Sequence, residues 1–301
     1  MSIDVAGFAH VNLNCADLAR SKRFYEHALG LRALVHTDPA PQDCSAFGLS
    51  EPGQWDAWML GYAEPGSGIA LDLLQWLRPC PLPAPRPDSL GFAGLGFDVP
   101  DLDAAVGRIE GAGGRAVARP DFRTTAGESA RVLAARDPDG QRIEVREGPR
   151  GRMAFVNVLC SQLERSLAFY SEVLGMKEVD GLATGSTTLA LPGDASGFRV
   201  ELTRARKTES GGPGPARSEA NRLGLFRMAF LSLDVARAHS ELQSLGVPRL
   251  SAVADLDLGP SCPAPRCRAL FFRDPDGACL ELIEVPSQAE VPPPPSRRAP
   301  A

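Results

Sequence analysis

The feature that most constrains this chain of 301 residues is that it repeats itself. The stretch His10-Val-Asn-Leu-Asn-Cys-Ala-Asp-Leu-Ala-Arg-Ser-Lys-Arg-Phe-Tyr25 returns as Phe155-Val-Asn-Val-Leu-Cys-Ser-Gln-Leu-Glu-Arg-Ser-Leu-Ala-Phe-Tyr170. The same offset carries Leu29-Gly30 onto Leu174-Gly175. A second pair of segments opens at Asp101-Leu-Asp-Ala-Ala-Val and Asp234-Val-Ala-Arg-Ala-His. Each closes on Arg-Asp-Pro-Asp-Gly, at Arg136 to Gly140 and Arg273 to Gly277. Ordered matches at both ends of both halves mean duplicated units, which bury their apolar faces by packing on one another. Four modules result, near residues 5–76, 90–147, 152–204 and 224–285.

Each module has the same local grammar. An opening strand alternates, with Ala9, Val11 and Leu13 on one face and His10, Asn12 and Asn14 on the other. An Asp or Ser then caps an amphipathic helix, as over 18–28, where Leu18, Phe24, Tyr25, Ala28 and Leu29 form the apolar stripe and Gly30 the stop. Short strands follow. Asp137-Pro-Asp-Gly140 reads as a type I turn with Gly supplying a positive φ, punctuation and not chemistry. The unit is β-α-β-β-β, its sheet covered by the helix on one face and concave on the other.

Gly148-Pro-Arg-Gly151 reads as the hinge between halves, giving an N-terminal domain over 1–148 and a C-terminal one over 152–285. Leu77 to Leu90, with prolines at 79, 81, 83, 85 and 87, is a stiff extended connector, and Arg204 to Arg222 is its counterpart in the second half. Pro286 to Ala301 is expected to be a disordered tail.

Composition removes several function classes. Lys+Arg 32 against Asp+Glu 37 gives a net charge of −5, the wrong sign for a chain that tracks nucleic-acid phosphates. No apolar run approaches the roughly 20 residues that span a bilayer, and the start lacks a secretory signal, so a cytoplasmic protein is expected. Seven cysteines without a Cys-x-x-Cys pair read as small buried thiols in a reducing compartment. Neither a P-loop nor a strand-linked G-x-G-x-x-G occurs, which argues against a nucleotide cofactor.

On these residues the chain resembles the vicinal oxygen chelate superfamily, the glyoxalase, bleomycin-resistance and extradiol-dioxygenase group. The resemblance rests on Asp-Leu-x-x-Ser-x-x-Phe-Tyr-x-x-x-Leu-Gly at Asp17 to Gly30 and on Asp-Pro-Asp-Gly-x-x-Ile/Leu-Glu at Asp137 to Glu144 and Asp274 to Glu281. It implies an α+β fold of tandem β-α-β-β-β modules paired into two U-shaped, barrel-like domains, each around a cavity. It further implies metal-ligand slots on first strands (His10, Gly94, Phe155, Arg227) and last strands (Asp72, Glu144, Glu201, Glu281).

If modules pair in chain order, His10, Asp72 and Glu144 meet as a metal site for Mn, Fe, Mg, Ni or Zn, with Gly94 leaving room. Glu144 or Asp72 is then the general base, and Arg142, Arg146, Trp58 and Asn12 line the substrate. If the modules cross, His10 and Asp72 meet Arg227 and Glu281 instead. Alternation turns Glu144 inward beside Arg142 and Arg146, and Asp72 inward beside Ala70, Leu74 and Trp76. Ordinary carboxylate–arginine pairing is the competing reading of Glu144 and Glu281. The expected activity is metal-dependent lyase or isomerase chemistry on a small oxygenated molecule by a monomer or homodimer. The alternative is a metal-free small-molecule binder, and ring-cleaving dioxygenation ranks below both because Phe155 and Arg227 occupy its ligand positions. No nucleic-acid or membrane partner is expected.

Overall fold

The computed structural model describes residues 2–284 except 63–67, 119, 126–127, 181–184, 207–213, 217–218, 249, 260–261 and 263–264. The Pro-rich tail and part of the second connector lie outside the described residues. The first module runs β1 (Gly7–Asn14), α1 (Leu18–Leu29), β2 (Arg32–Thr37), β3 (Gln54–Gly61) and β4 (Ala70–Arg78). The second has β5 (Gly91–Val99), α2 (Leu102–Gly111), β6 (Arg115–Ala116), a hairpin of β7 (Asp121–Thr125) and β8 (Glu128–Arg136), and β9 (Arg142–Glu147). The third comprises β10 (Arg152–Cys160), α3 (Leu163–Glu172), β11 (Lys177–Asp180), β12 (Ser186–Ala190) and β13 (Arg199–Arg204). The fourth comprises β14 (Gly224–Leu231), α4 (Val235–Ser244), β15 (Ala254–Asp257), β16 (Arg266–Arg273) and β17 (Cys279–Glu284).

Local chemistry starts and stops the helices as the sequence suggests. Asp17, Asp101 and Asp234 accept from the backbone N–H three residues on, at Arg20, Ala104 and Arg237. Gly30 ends α1 in the left-handed region at φ 81°. Among the described helices α1–α4, α3 has no side-chain cap, because Gln162 stands where the others have Asp.

Two curled sheets hold the strands, and the modules cross between them. The first sheet has the order β15-β16-β17-β14-β1-β4-β3-β2, so module one pairs with module four. The second has the order β11-β12-β13-β10-β5-β9-β8-β6, pairing modules two and three. Connector length accounts for this. Glu147 ends β9 opposite Val99, and Arg152 begins β10 opposite Asp98, so the two strands flank β5 at the same end. Residues 148–151 then need to cover two strand spacings, roughly 10 Å, which four residues can reach. Residues 79–90, by contrast, can extend about 40 Å and carry the chain from one sheet to the other. The two long connectors run together at the seam: Leu82 donates to Asn221 O at 2.8 Å and Leu90 to Gly214 O at 2.9 Å.

A continuous apolar core from both sheets and all four helices includes Val11, Leu13, Phe97, Val156 and Phe230. The repeated motifs also meet each other across the modules. Tyr25 on α1 donates to Asp137, and Asp139 accepts from Ala16 N–H, Ser21 and Arg20. In the other half Tyr170 donates to Asp274, and Asp276 accepts from Ser161 and Arg165. The Asp-Pro-Asp-Gly turn, with Gly140 at φ 85°, is thus also a docking element. All seven cysteines are free thiols and five are buried. No helix among the described residues is long and apolar enough to cross a membrane.

Candidate functional site

Four adjacent strands of the first sheet, β17, β14, β1 and β4, send Glu281, Arg227, His10 and Asp72 to one buried point on its concave side. The Arg227 guanidinium bridges the acids, with Nε 2.6 Å from Glu281 Oε2 and Nη2 2.9 Å from Asp72 Oδ2. His10 Nε2 faces the same two oxygens, at 3.4 Å from Glu281 and 3.9 Å from Asp72. Asn12 Nδ2 donates to Asp72 Oδ2 at 3.0 Å and to its backbone oxygen at 3.1 Å. Burial alone would raise the Glu281 carboxyl, but the Arg227 charge and then His10 outweigh it and hold the group below its ordinary range.

Strand irregularities aim these side chains. The β1–β14 register slips between Phe8 and His10, and again where Asn12 faces Arg227 while Leu13 faces Leu225. Each slip is a bulge that adds one residue and resets the alternation. The second leaves Leu225 and Met228 in the helix-side core while Phe226 joins a separate apolar cluster on the concave side. In that cluster Phe47, Trp55, Trp76, Phe226 and Phe271 pack together, and the Arg227 guanidinium lies 5.6 Å from the Phe47 and Phe226 ring centroids. Rings therefore fill much of the first curl.

The second curl is organised around a different arginine. Buried Arg146 donates to Asp98 at 2.7 and 3.2 Å, Arg152 donates to the same carboxylate at 2.6 Å, and the Arg146 guanidinium sits 5.2 Å from the Phe155 ring centroid. The ring occupies space that only a glycine opposite allows, since a Cβ on Gly96 would lie 2.0 Å from it. Arg142 pairs with Glu144, and Asn157 donates to Glu201 at 3.2 Å.

Against the sequence reading, His10 and Asp72 come together, but Glu144 lies in the other sheet, because the modules pair in the crossed order. Glu281 takes its place, and Arg227 comes with it. Asn12 holds Asp72 and does not line a cavity. Trp58 is on the helix-covered face, 4.5 Å from the His36 ring and 5.1 Å from Lys22 Nζ, so it cannot wall the curl. Arg146 is a buried structural cation and not a substrate contact, having 1% exposure. Asp98, its partner, is a residue that sequence reasoning missed; its inward position on β5 was readable from the alternation with Phe97 and Val99.

The sequence matches the model of the Glyoxalase/Bleomycin resistance protein/Dioxygenase superfamily over residues 7–145 and 152–282. The chain belongs to this superfamily. Glyoxalase I from Zea mays shares the fold at 21% identity, with 92% of each chain covered and a TM-score of 0.63. A dioxygenase candidate from Bacillus subtilis does so at 15% identity, covering 95% of this chain and 87% of its own, with a TM-score of 0.62. Both likenesses concern architecture. The search of curated proteins finds no match.

Members of the glyoxalase superfamily commonly bind divalent metals and small-molecule substrates, and part of a metal's donor set is present here. One imidazole and two carboxylates converge, and His10 Nε2 is buried without a hydrogen-bond partner among the described residues. The two carboxylate oxygens it faces are nevertheless the same oxygens that Arg227 already binds. A divalent ion there would sit against a guanidinium in a low-dielectric pocket and would compete for both ligands. The second curl has no imidazole in its slots, which hold Gly94, Glu144, Phe155 and Glu201. Neither donor set suits a divalent cation.

Proposed function

We propose that this chain is a metal-independent, small-molecule-binding member of the glyoxalase superfamily. The observation that carries the reading is the Arg227 bridge between Asp72 and Glu281: a side-chain cation stands where a superfamily metal would be held. A guanidinium neutralises the carboxylates and locks four strands together, but offers no open coordination position for a chelating substrate. The His10, Asp72 and Glu144 set expected to carry lyase or isomerase chemistry does not assemble, since those residues are divided between two sheets.

Elemental analysis of protein purified without added metal tests this, together with melting curves in Mn, Ni or Zn. The expected result is sub-stoichiometric metal and no rise in melting temperature with any of the three. Arg227→Ala should gain a Zn- or Ni-dependent rise by freeing the ligands. Stoichiometric metal in the wild type, lost in His10→Ala, would overturn the proposal.

A further inference from the structure

We infer that the ligand is a small organic anion with an apolar body, held at the seam between the two sheets. This deepens the metal-independent binding reading and rests on it. The cavity there measures about 390 Å³, within the range of roughly 300–1,000 Å³ usual for small-molecule sites. Arg136 and Arg142 come from β8 and β9, where they pair across the strands on the concave face shared with Glu144. Arg86 comes from the Pro-rich connector, and Leu13, Phe92 and Leu223 give the apolar walls.

Charge selects the ligand class. Three guanidiniums line the cavity against one carboxylate, Asp139, which is already engaged by Ala16 N–H, Ser21 and Arg20. Glu144 and Asp88, outside the lining, offset part of the charge of Arg142 and Arg86, so the groups that a ligand meets are mainly cationic although the chain as a whole carries −5. Each arginine is steadied along part of its fork: Arg142 by Glu144, Arg136 by Gly140 O at 2.7 Å, and Arg86 by Asp88 at 3.2 Å. A guanidinium has five N–H donors, so each retains N–H groups for a carboxylate. The Arg142 and Arg86 side chains are 43% and 60% exposed, hence accessible.

Calorimetric titration with 1-naphthoate and with neutral 1-naphthalenemethanol tests the site. Naphthoate should bind more tightly than the alcohol, and more weakly as salt is raised. Arg136→Gln and Arg142→Gln should each weaken it about tenfold, the loss of one charge-assisted hydrogen bond. Ala134→Leu, which fills the cavity, should abolish binding while the melting temperature shows the variant folded. Equal affinity for acid and alcohol, unchanged affinity in the arginine variants, or no binding at all overturns the anion site and leaves the wild-type metal content to judge the reading beneath it. Stoichiometric metal in the wild type overturns that reading and the inference with it.

Discussion

The Tyr25 hydroxyl donates to Asp137 Oδ2 at 2.9 Å, joining a helix of module one to a turn of module two. Tyr170 and Asp274 repeat the relationship at 3.2 Å between modules three and four. The two motifs that betray the duplication are thus the two halves of a contact. Tyr25→Phe removes the donor and leaves a buried carboxyl with one partner fewer. It should cost about 1–3 kcal/mol, read from urea denaturation. An unchanged midpoint would mean that the contact contributes nothing to holding the sheets together.

The same acids make stability depend on pH. Burial pushes the Asp137 and Asp274 carboxyls up to about 6, although tyrosine and backbone hydrogen bonds pull the other way. The folded value lies above the unfolded one, about 3.9. Folding therefore favours the protonated form, and this contribution is full below about pH 4 and lost as pH rises through 6. The decline amounts to roughly 3 kcal/mol per carboxyl at most. Asp137→Asn removes its share, so the variant should gain on the wild type by up to that amount between pH 4 and 7. Parallel stability curves would contradict the assignment.

Arg227→Ala leaves Asp72 and Glu281 facing each other in a buried pocket. The expected cost is about 3–5 kcal/mol at neutral pH. Without the cation, burial raises the Glu281 carboxyl, so the deficit should shrink as pH falls and the acid takes up a proton. Adding Glu281→Gln to the variant should recover part of the loss. Chemical denaturation at pH 5 and pH 7.5 separates these effects.

Gly96 and Phe155 form a steric pair. Gly96→Ala should destabilise by about 3 kcal/mol, because the ring must leave its position beside Arg146. In a Phe155→Ala background the same change should cost little. Equal costs in both backgrounds would show that the ring does not exclude a side chain at 96.

Much of the fold was legible from the repeat and from alternation. Asp72 faces inward with Leu74 and Trp76 on its side, while Leu71 and Leu73 pack into the helix-side core. Trp58 was misplaced although the spacing spoke against it, since residues 55 and 58 are an odd number apart and a regular strand puts them on opposite faces. The crossing of the modules was encoded less directly, in a link of four residues against one of twelve. The choice between Glu144 and Glu281 depended on that crossing and on no property of either glutamate. The partner of Asn12 lies sixty residues away and follows from β1–β4 register, which local sequence does not specify.

Because every sheet takes one strand set from each side of Gly148, neither half of the polypeptide owns a finished layer. Made alone, each half would present bare central edges on β1 and β5, or on β10 and β14, that only the other can cover. The molecule is in effect a dimer of related halves written as one chain. Covalent linkage frees such halves from having to be identical, and here one hollow has filled with aromatic rings around Arg227 while its counterpart is built on the Arg146–Asp98 pair.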